Sequence, residues 1–110
     1  MITGADWRQR LRSLVWSMNQ GKKVVEYPLK RMVELVDAPN SAKLNEELTK
    51  LVISRELDAI YRVRSVDTGT GIAEYRNVTE IPPRVFDDSS GHYQDIVMSR
   101  DVELVYRNHK

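Results

Sequence analysis

Residues 27–63 carry the pattern that decides the fold: YPLKRMVELVDAPNSAKLNEELTKLVISRELDAIYRV. Apolar residues recur at helical spacing after Pro28 and predict a helix that ends near Asp37. A second helix is predicted from about Ala42 to Arg55, after a connection of four residues. From residue 59 to residue 66 the spacing changes to the alternation that is typical of a strand. The segment therefore predicts two tightly linked helices followed by a strand.

Upstream of this segment, residues 6–20 predict an amphipathic first helix, with Asp6 as its N-cap and Gly21 as its stop. Its apolar stripe consists of Trp7, Leu11, Leu14, Val15 and Met18. Trp16 does not fit this stripe. At about 100° per residue it falls almost opposite, beside Arg12 and Gln9. A short strand is expected over residues 22–27, which are β-branched at their centre.

Downstream, strand patterns alternate with turn signals and predict a β-hairpin and a β-containing extension. The expected elements are a loop at 67–71, a strand at 72–81 closed by two prolines, a turn at 87–91, a strand at 92–98, one helical turn at 100–103, and a strand or docked tail at 104–106. The sequence contains no repeat and no linker. We therefore predict one domain over residues 1–110, with a core at 6–81 and a C-terminal extension at 84–110.

This order of elements, carried by the stretch from Tyr27-Pro28-Leu29 to Tyr61-Arg62-Val63, resembles the winged-helix superfamily. In that family two helices joined by a tight turn precede a β-hairpin wing. The resemblance covers about residues 6–81. It implies an α+β fold of three helices followed by a wing, in which residues 42–55 form the recognition helix and residues 67–71 the wing tip.

The composition is that of an ordinary globular domain, with 41% hydrophobic and 30% charged residues among 110. Seventeen basic and 16 acidic residues give a net charge of +1. They are unevenly distributed, with 12 Lys and Arg against 8 Asp and Glu in residues 1–64, and 5 against 8 in residues 65–110. No apolar run is long enough to span a bilayer, and no secretory signal precedes the first helix. We therefore expect a soluble, cytoplasmic protein without a membrane partner.

The residues that enzymes use for chemistry are few and scattered. The absence of cysteine excludes a thiol nucleophile and every cysteine-based zinc site. His92 follows a turn and His109 is next to the C-terminus. Residues 67–71 (DTGTG) match the start of an aspartic-protease motif without a second copy, and the acidic residues Asp87, Asp88 and Asp95 do not have calcium-loop spacing. We therefore expect no enzymatic activity, catalytic residue, metal, cofactor or small-molecule substrate.

The first binding hypothesis is a protein–protein interaction or assembly module that uses Trp16, Arg12 and Gln9. Exposed Trp and Arg are the residue types that dominate interface energetics. The partner is another protein or a second copy of the chain. The structural alternative is that Trp16 is covered by the C-terminal extension, against Phe86 or Tyr93.

The second hypothesis is a DNA-binding transcriptional regulator, as the winged-helix resemblance implies. Its contact residues are Lys43, Asn45, Lys50, Arg55, Arg62 and Arg64. Glu46 and Glu47 neutralise the centre of the predicted recognition helix, and carboxylates that face phosphates reduce affinity. A pI near 8.0 is also low for a dedicated DNA-binding domain. Protein binding is therefore the favoured hypothesis.

Overall fold

The computed structural model describes residues 6–109. Within them, four α-helices and six strands in two antiparallel sheets form an α+β fold, as the sequence predicts. One sheet has the strand order β1-β6-β2-β3 and the other consists of β4 and β5. The elements are α1 Asp6–Met18, β1 Glu26–Pro28, α2 Leu29–Val36, α3 Ser41–Ile53, β2 Leu57–Arg64, β3 Gly71–Tyr75, β4 Arg84–Asp87, β5 His92–Asp95, α4 Met98–Asp101 and β6 Val102–Asn108.

The chain divides into two compact units. The first comprises Met1–Ala59 and Tyr106–Lys110, and the second comprises Ile60–Val105. By sequence the first unit contains 12 Lys and Arg against 8 Asp and Glu, a net charge of +4. The second contains 5 against 8, a net charge of −3. The charge asymmetry of the sequence is therefore an asymmetry between the two units.

Helices α1, α2 and α3 supply most of the core of the first unit. Their buried side chains are Trp7, Leu11, Val15, Met18, Met32, Val36, Leu44 and Leu48. These residues follow the helical spacing expected from the sequence, although Leu14 is only half-buried. Asn40 caps α3, because its side-chain oxygen accepts a hydrogen bond from the Lys43 amide at 2.9 Å.

The C-terminal residues of the first unit are fixed by polar contacts. Asn108 is almost fully buried, and its side-chain amide donates to the carbonyl oxygens of Met18, at 2.7 Å, and Lys23, at 2.9 Å. Its side-chain oxygen accepts from the Val25 amide at 2.9 Å. Arg107 forms an ion pair with Glu26 at 2.8 Å. The Asn108 bonds thus provide hydrogen-bond partners for backbone N–H and C=O groups between α1 and β1.

The second unit contains two β-hairpins. Strands β2 and β3 pair antiparallel with Tyr61 opposite Tyr75, and β4 and β5 pair with Phe86 opposite Tyr93. Its buried apolar side chains are Ile60, Val63, Val85 and Val105. Strand β4 was not among the elements predicted from the sequence.

Several predicted boundaries are wrong. Strand β1 covers residues 26–28 and not 22–27, since Asn108 binds the preceding backbone. Strand β3 ends at Tyr75, because Asn77 caps a short 3-10 helix at Val78–Glu80 where the strand was expected to continue. No helix within the described part of the chain is long and apolar enough to cross a membrane.

Candidate functional site

Helix α1 has a continuous exposed face opposite its buried stripe. We define the α1 face as the exposed residues Gln9, Arg12, Ser13, Trp16 and Ser17. They recur at intervals of three and four, so they lie on one side of the helix. Arg12 is the charged member of this face, and Trp16 is its large apolar member.

Trp16 is 67% exposed, whereas Trp7 on the same helix is 2% exposed. The structural alternative, in which the C-terminal extension buries Trp16, is therefore wrong. Phe86 and Tyr93, the residues expected to cover it, are themselves 45% and 62% exposed. Their rings pack edge-to-face against each other, with centroids 5.2 Å apart. Cross-strand pairing in the second hairpin accounts for that contact.

A groove of about 410 Å³ runs beside Trp16 between α1 and the end of α3. Val15 and Leu51 are its aliphatic lining residues, and Arg12 and Glu56 also line it. The Glu56 carboxylate accepts a hydrogen bond from the Ser54 hydroxyl at 2.7 Å. Leu51 and Glu56 are site residues that sequence reasoning missed, since only the packing of α3 beside α1 brings them to Trp16.

On the other side of α1, a second groove is lined by the polar residues Asp6, Gln9, Arg10, Arg12 and Ser13, together with Leu35 of α2. Arg12 lines the grooves on both sides. The three residues Trp16, Arg12 and Gln9, singled out from the sequence, are thus exposed on one helix face. The structure brings them together with two grooves.

The arginines of α1 differ in the contacts that their guanidinium groups make. Arg8 pairs with Glu47 at 3.0 Å and stacks over the Trp7 ring at 4.6 Å. The hydrogen bond from Arg8 is the main reason why the pKa of Glu47 lies below its ordinary value. Arg10 donates to the Val36 carbonyl at 2.8 Å, which satisfies the end of α2. Arg12 has no such partner within residues 6–109.

No acidic residue occurs between Trp7 and Val25, a stretch that contains five Lys and Arg. Lys22 and Lys23, just after α1, are exposed. Like Arg12, they have no ion-pair partner in the described part of the chain. The α1 face and the residues that follow it therefore carry only positive charges, and the Glu56 carboxylate lines the groove beside the exposed indole.

The DNA-contact residues predicted on α3 are in mixed environments. Asn45 accepts a hydrogen bond from the Tyr106 hydroxyl at 2.8 Å, and Lys50 pairs with Glu47 at 3.4 Å. Lys43 and Arg55 are exposed and have no described partner. Arg55 also has a left-handed backbone conformation, with φ of 64°.

The predicted contact residues Arg62 and Arg64 belong to the second unit, where carboxylates hold both. Arg62 pairs with Glu74 at 2.6 Å across the β2–β3 hairpin. Arg64 pairs with Glu103 at 2.5 Å and donates to the Gly69 carbonyl at 2.9 Å. Together with Lys50, three of the six candidate DNA contacts are thus already neutralised within their own unit.

The second unit contains a buried polar network around Asp87, which is fully buried. One carboxylate oxygen accepts from the Ser65 hydroxyl at 2.5 Å, and the other accepts from the amide and the hydroxyl of Ser89 at 2.9 and 2.5 Å. The Ser65 hydroxyl donation, followed by that of Ser89, holds the pKa of Asp87 well below its ordinary range. Ser65 in turn accepts from the amides of Asp67 and Thr68. The network therefore ties the β2–β3 turn to the β4–β5 turn.

The other acidic residues considered from the sequence do not converge on one point. Asp95 pairs with Arg84 at 2.9 Å, Asp67 lies 3.1 Å from His92, and Asp88 is exposed. Among residues 6–109, no group of three or more His, Cys, Asp or Glu is arranged to hold a metal ion. The buried Asp87 is fully occupied by hydroxyl and amide donors, so its geometry is that of a structural network.

Comparison of the chain with protein-family models, with curated proteins and with solved structures finds no match. The resemblance to winged helices stays a prediction that rests on the order of the elements.

Proposed function

We propose that this chain is a non-enzymatic, winged-helix-like module for protein–protein interaction or assembly, and that it binds its partner through the α1 face. One observation carries the proposal: Trp16, 67% exposed, lies at the edge of a groove with the aliphatic lining residues Val15 and Leu51. The cytoplasm is the proposed location.

An exposed tryptophan favours an interface for a physical reason. Its large ring gains hydrophobic free energy when a partner covers it, and its indole N–H remains available for a hydrogen bond. Tryptophan and arginine are enriched among the residues that dominate binding energy. Arg12 lies one helical turn from Trp16, so the two side chains are neighbours and one partner surface contacts both.

Photo-crosslinking tests the proposal directly. A benzophenone amino acid is placed at position 16 in one variant and at position 53 in another, in cells that naturally express the protein. Ile53 is the matched control, because it is 76% exposed and apolar but lies outside both grooves. We expect a discrete adduct with protein from position 16 and none from position 53.

The adduct also identifies the class of partner. A band at twice the mass of the chain indicates a second copy, and a larger or smaller shift indicates a different protein. An adduct that nuclease digestion removes contradicts the proposal in favour of nucleic acid. Equal labelling from positions 16 and 53 contradicts it as well, because position 16 then contacts protein no more often than another exposed apolar position does.

DNA binding is the alternative function, and exposed Lys43 and Arg55 favour it. Against it, Asn45, Lys50, Arg62 and Arg64 already bond within the chain. Fluorescence anisotropy of a labelled random duplex at ~50 mM salt tests it, since phosphate contacts are strong there. Binding that Lys43→Glu abolishes would establish the alternative, and we expect no binding.

A further inference from the structure

We infer that the partner of the α1 face is an acidic protein segment with one apolar anchor side chain. The anchor would lie in the groove between Trp16 and Leu51, and the carboxylates of the segment would lie toward Arg12. The inference rests on the proposed function and adds to it the chemistry of the partner. Three features of the surface carry it: the distribution of charge, the shape of the groove and the position of Glu56.

The first feature is charge complementarity. The first unit has a net charge of +4, and the 19 residues from Trp7 to Val25 contain five Lys and Arg and no acid. Arg8 and Arg10 are occupied by Glu47 and by the end of α2. The side chains of Arg12, Lys22 and Lys23 have no described ion-pair partner, and the three residues are exposed. A carboxylate-rich segment would gain charge-assisted bonds here without displacing an existing ion pair.

The second feature is the groove itself. Val15 and Leu51 give it aliphatic walls, and Trp16 forms an exposed edge. Its volume, about 410 Å³, accommodates one large side chain. Helix faces with a single apolar depression bind partners through an anchor residue that fills it. A purely acidic segment would leave Trp16 uncovered, so an apolar anchor is part of the inference.

The third feature distinguishes an acidic peptide from a nucleic acid. Glu56 lines the same groove as Arg12, so the groove has a positive and a negative side. A nucleic acid bears a phosphate at every residue, and one that crossed the groove would bring negative charge to Glu56. A peptide segment can present carboxylates at the Arg12 side and an uncharged anchor beside Glu56. Single-strand binders also stack successive bases on several aromatic rings, whereas Trp16 is the one aromatic member of the α1 face.

Fluorescence anisotropy with defined polymers tests the inference on the whole chain. The probes are labelled random copolymers of Glu and Tyr, poly-Glu, copolymers of Lys and Tyr, and oligo-dT. We expect the Glu–Tyr copolymer to bind, poly-Glu to bind at least about tenfold more weakly because it lacks an anchor, and the other two probes not to bind. Oligo-dT binding equal to that of the Glu–Tyr copolymer would overturn the inference in favour of nucleic acid.

Variants assign the binding to this surface. Trp16→Ala and Arg12→Glu should each weaken binding of the Glu–Tyr copolymer about tenfold or more. The matched controls are Ile53→Ala, an equally exposed apolar residue, and Lys30→Glu, an exposed cation on α2. Both controls should bind within about twofold of the wild type. Equal losses with Arg12→Glu and Lys30→Glu would overturn the inference, because attraction by net charge would then suffice.

The two tests fail in different ways. If position 16 crosslinks to a protein but the Glu–Tyr copolymer does not bind, the acidic chemistry is wrong and the interaction module stands. If position 16 gives no adduct above that of position 53, the α1 face is not the interface and both proposals fall.

Discussion

The two compact units differ in how completely their side chains are satisfied. In the second unit, Gly69 and Gly91 occupy the described left-handed backbone positions, and a buried carboxylate receives several donors. In the first unit, the left-handed positions are taken by Asp37 and Arg55. The first unit also leaves Trp16 exposed and keeps several cations without a described partner. In the second unit, by contrast, ion pairs hold Arg62, Arg64, Arg84 and Arg100.

This difference is consistent with the proposed function. Sequences specify a fold when local conformation, packing and charge agree, and natural proteins depart from that agreement mainly at functional sites. The second unit meets the criteria of local conformation and charge pairing, although its Phe86 and Tyr93 rings are exposed. The first unit departs from them on the α1 face and at the end of α3. Four pairs of substitutions test this contrast.

The largest effect is expected from the two tryptophans of α1. Trp7→Ala should lower the free energy of unfolding by about 3–5 kcal/mol, since it removes a fully buried ring from the core. Trp16→Ala should change it by less than about 0.5 kcal/mol, as for other exposed positions. Urea denaturation followed by circular dichroism measures both. A loss of several kcal/mol for Trp16→Ala would show that Trp16 belongs to the core and that the exposed face is absent.

The same two residues show what the sequence can predict. The apolar positions of α1 repeat at a helical period, so the period alone assigns Trp7 inward and Trp16 outward. The order of three helices, a hairpin and a β-containing extension was likewise predicted. The groove beside Trp16 was not, because Leu51 and Glu56 lie more than 30 positions away and only tertiary packing brings them there.

The missed features of the second unit have the same cause. Strand β4 is four residues long, and its inward positions are Val85 and Asp87, so no apolar alternation marks it. A buried aspartate is rare and depends on donors that lie elsewhere in the chain, here Ser65, 22 positions away. The start of β1 is set by Asn108, 83 positions from Val25. Local patterns contain no information on these bonds.

The next effect concerns Asp87 and pH. Its pKa in the folded chain lies below that of an unfolded Asp, about 3.9. The stabilisation by the carboxylate is therefore complete above about pH 4 and is lost as the pH falls toward the folded pKa. Asp87→Asn should lower Tm by several degrees at pH 7, and the difference from the wild type should shrink at pH 3. Thermal denaturation at the two pH values measures this.

Asp88→Asn is the matched control for the Asp87 substitution, because Asp88 is the adjacent residue and is exposed. It should leave Tm within about one degree of the wild type at both pH values. Equal changes at positions 87 and 88 would show that the hydroxyl network contributes nothing particular to the second unit.

A smaller effect separates paired from unpaired arginines. Arg64→Gln should lower the free energy of unfolding by about 0.5–1 kcal/mol, since it breaks the contacts with Glu103 and Gly69. Arg12→Gln should be neutral, because no described contact is lost. The Arg64 effect should also decrease in 0.5 M salt, as expected for a partly exposed ion pair. If urea denaturation gives equal losses of unfolding free energy for Arg64→Gln and Arg12→Gln, the contrast between paired and unpaired arginines is wrong.

The smallest effect is expected at the left-handed residue that ends α3. Arg55 and Glu56 donate backbone hydrogen bonds to Val52 and Leu51, a helix-ending pattern in which glycine usually occupies the left-handed position. Arg55→Gly relieves the steric strain of φ at 64° but increases the entropy of the unfolded chain, so a net gain of about 0.5 kcal/mol is expected. Gly91→Ala, with φ of 81°, should lose about 1 kcal/mol. A loss of stability with Arg55→Gly would show that the Arg55 side chain stabilises the fold. The left-handed residue at the end of α3 would then not be a source of instability in the first unit.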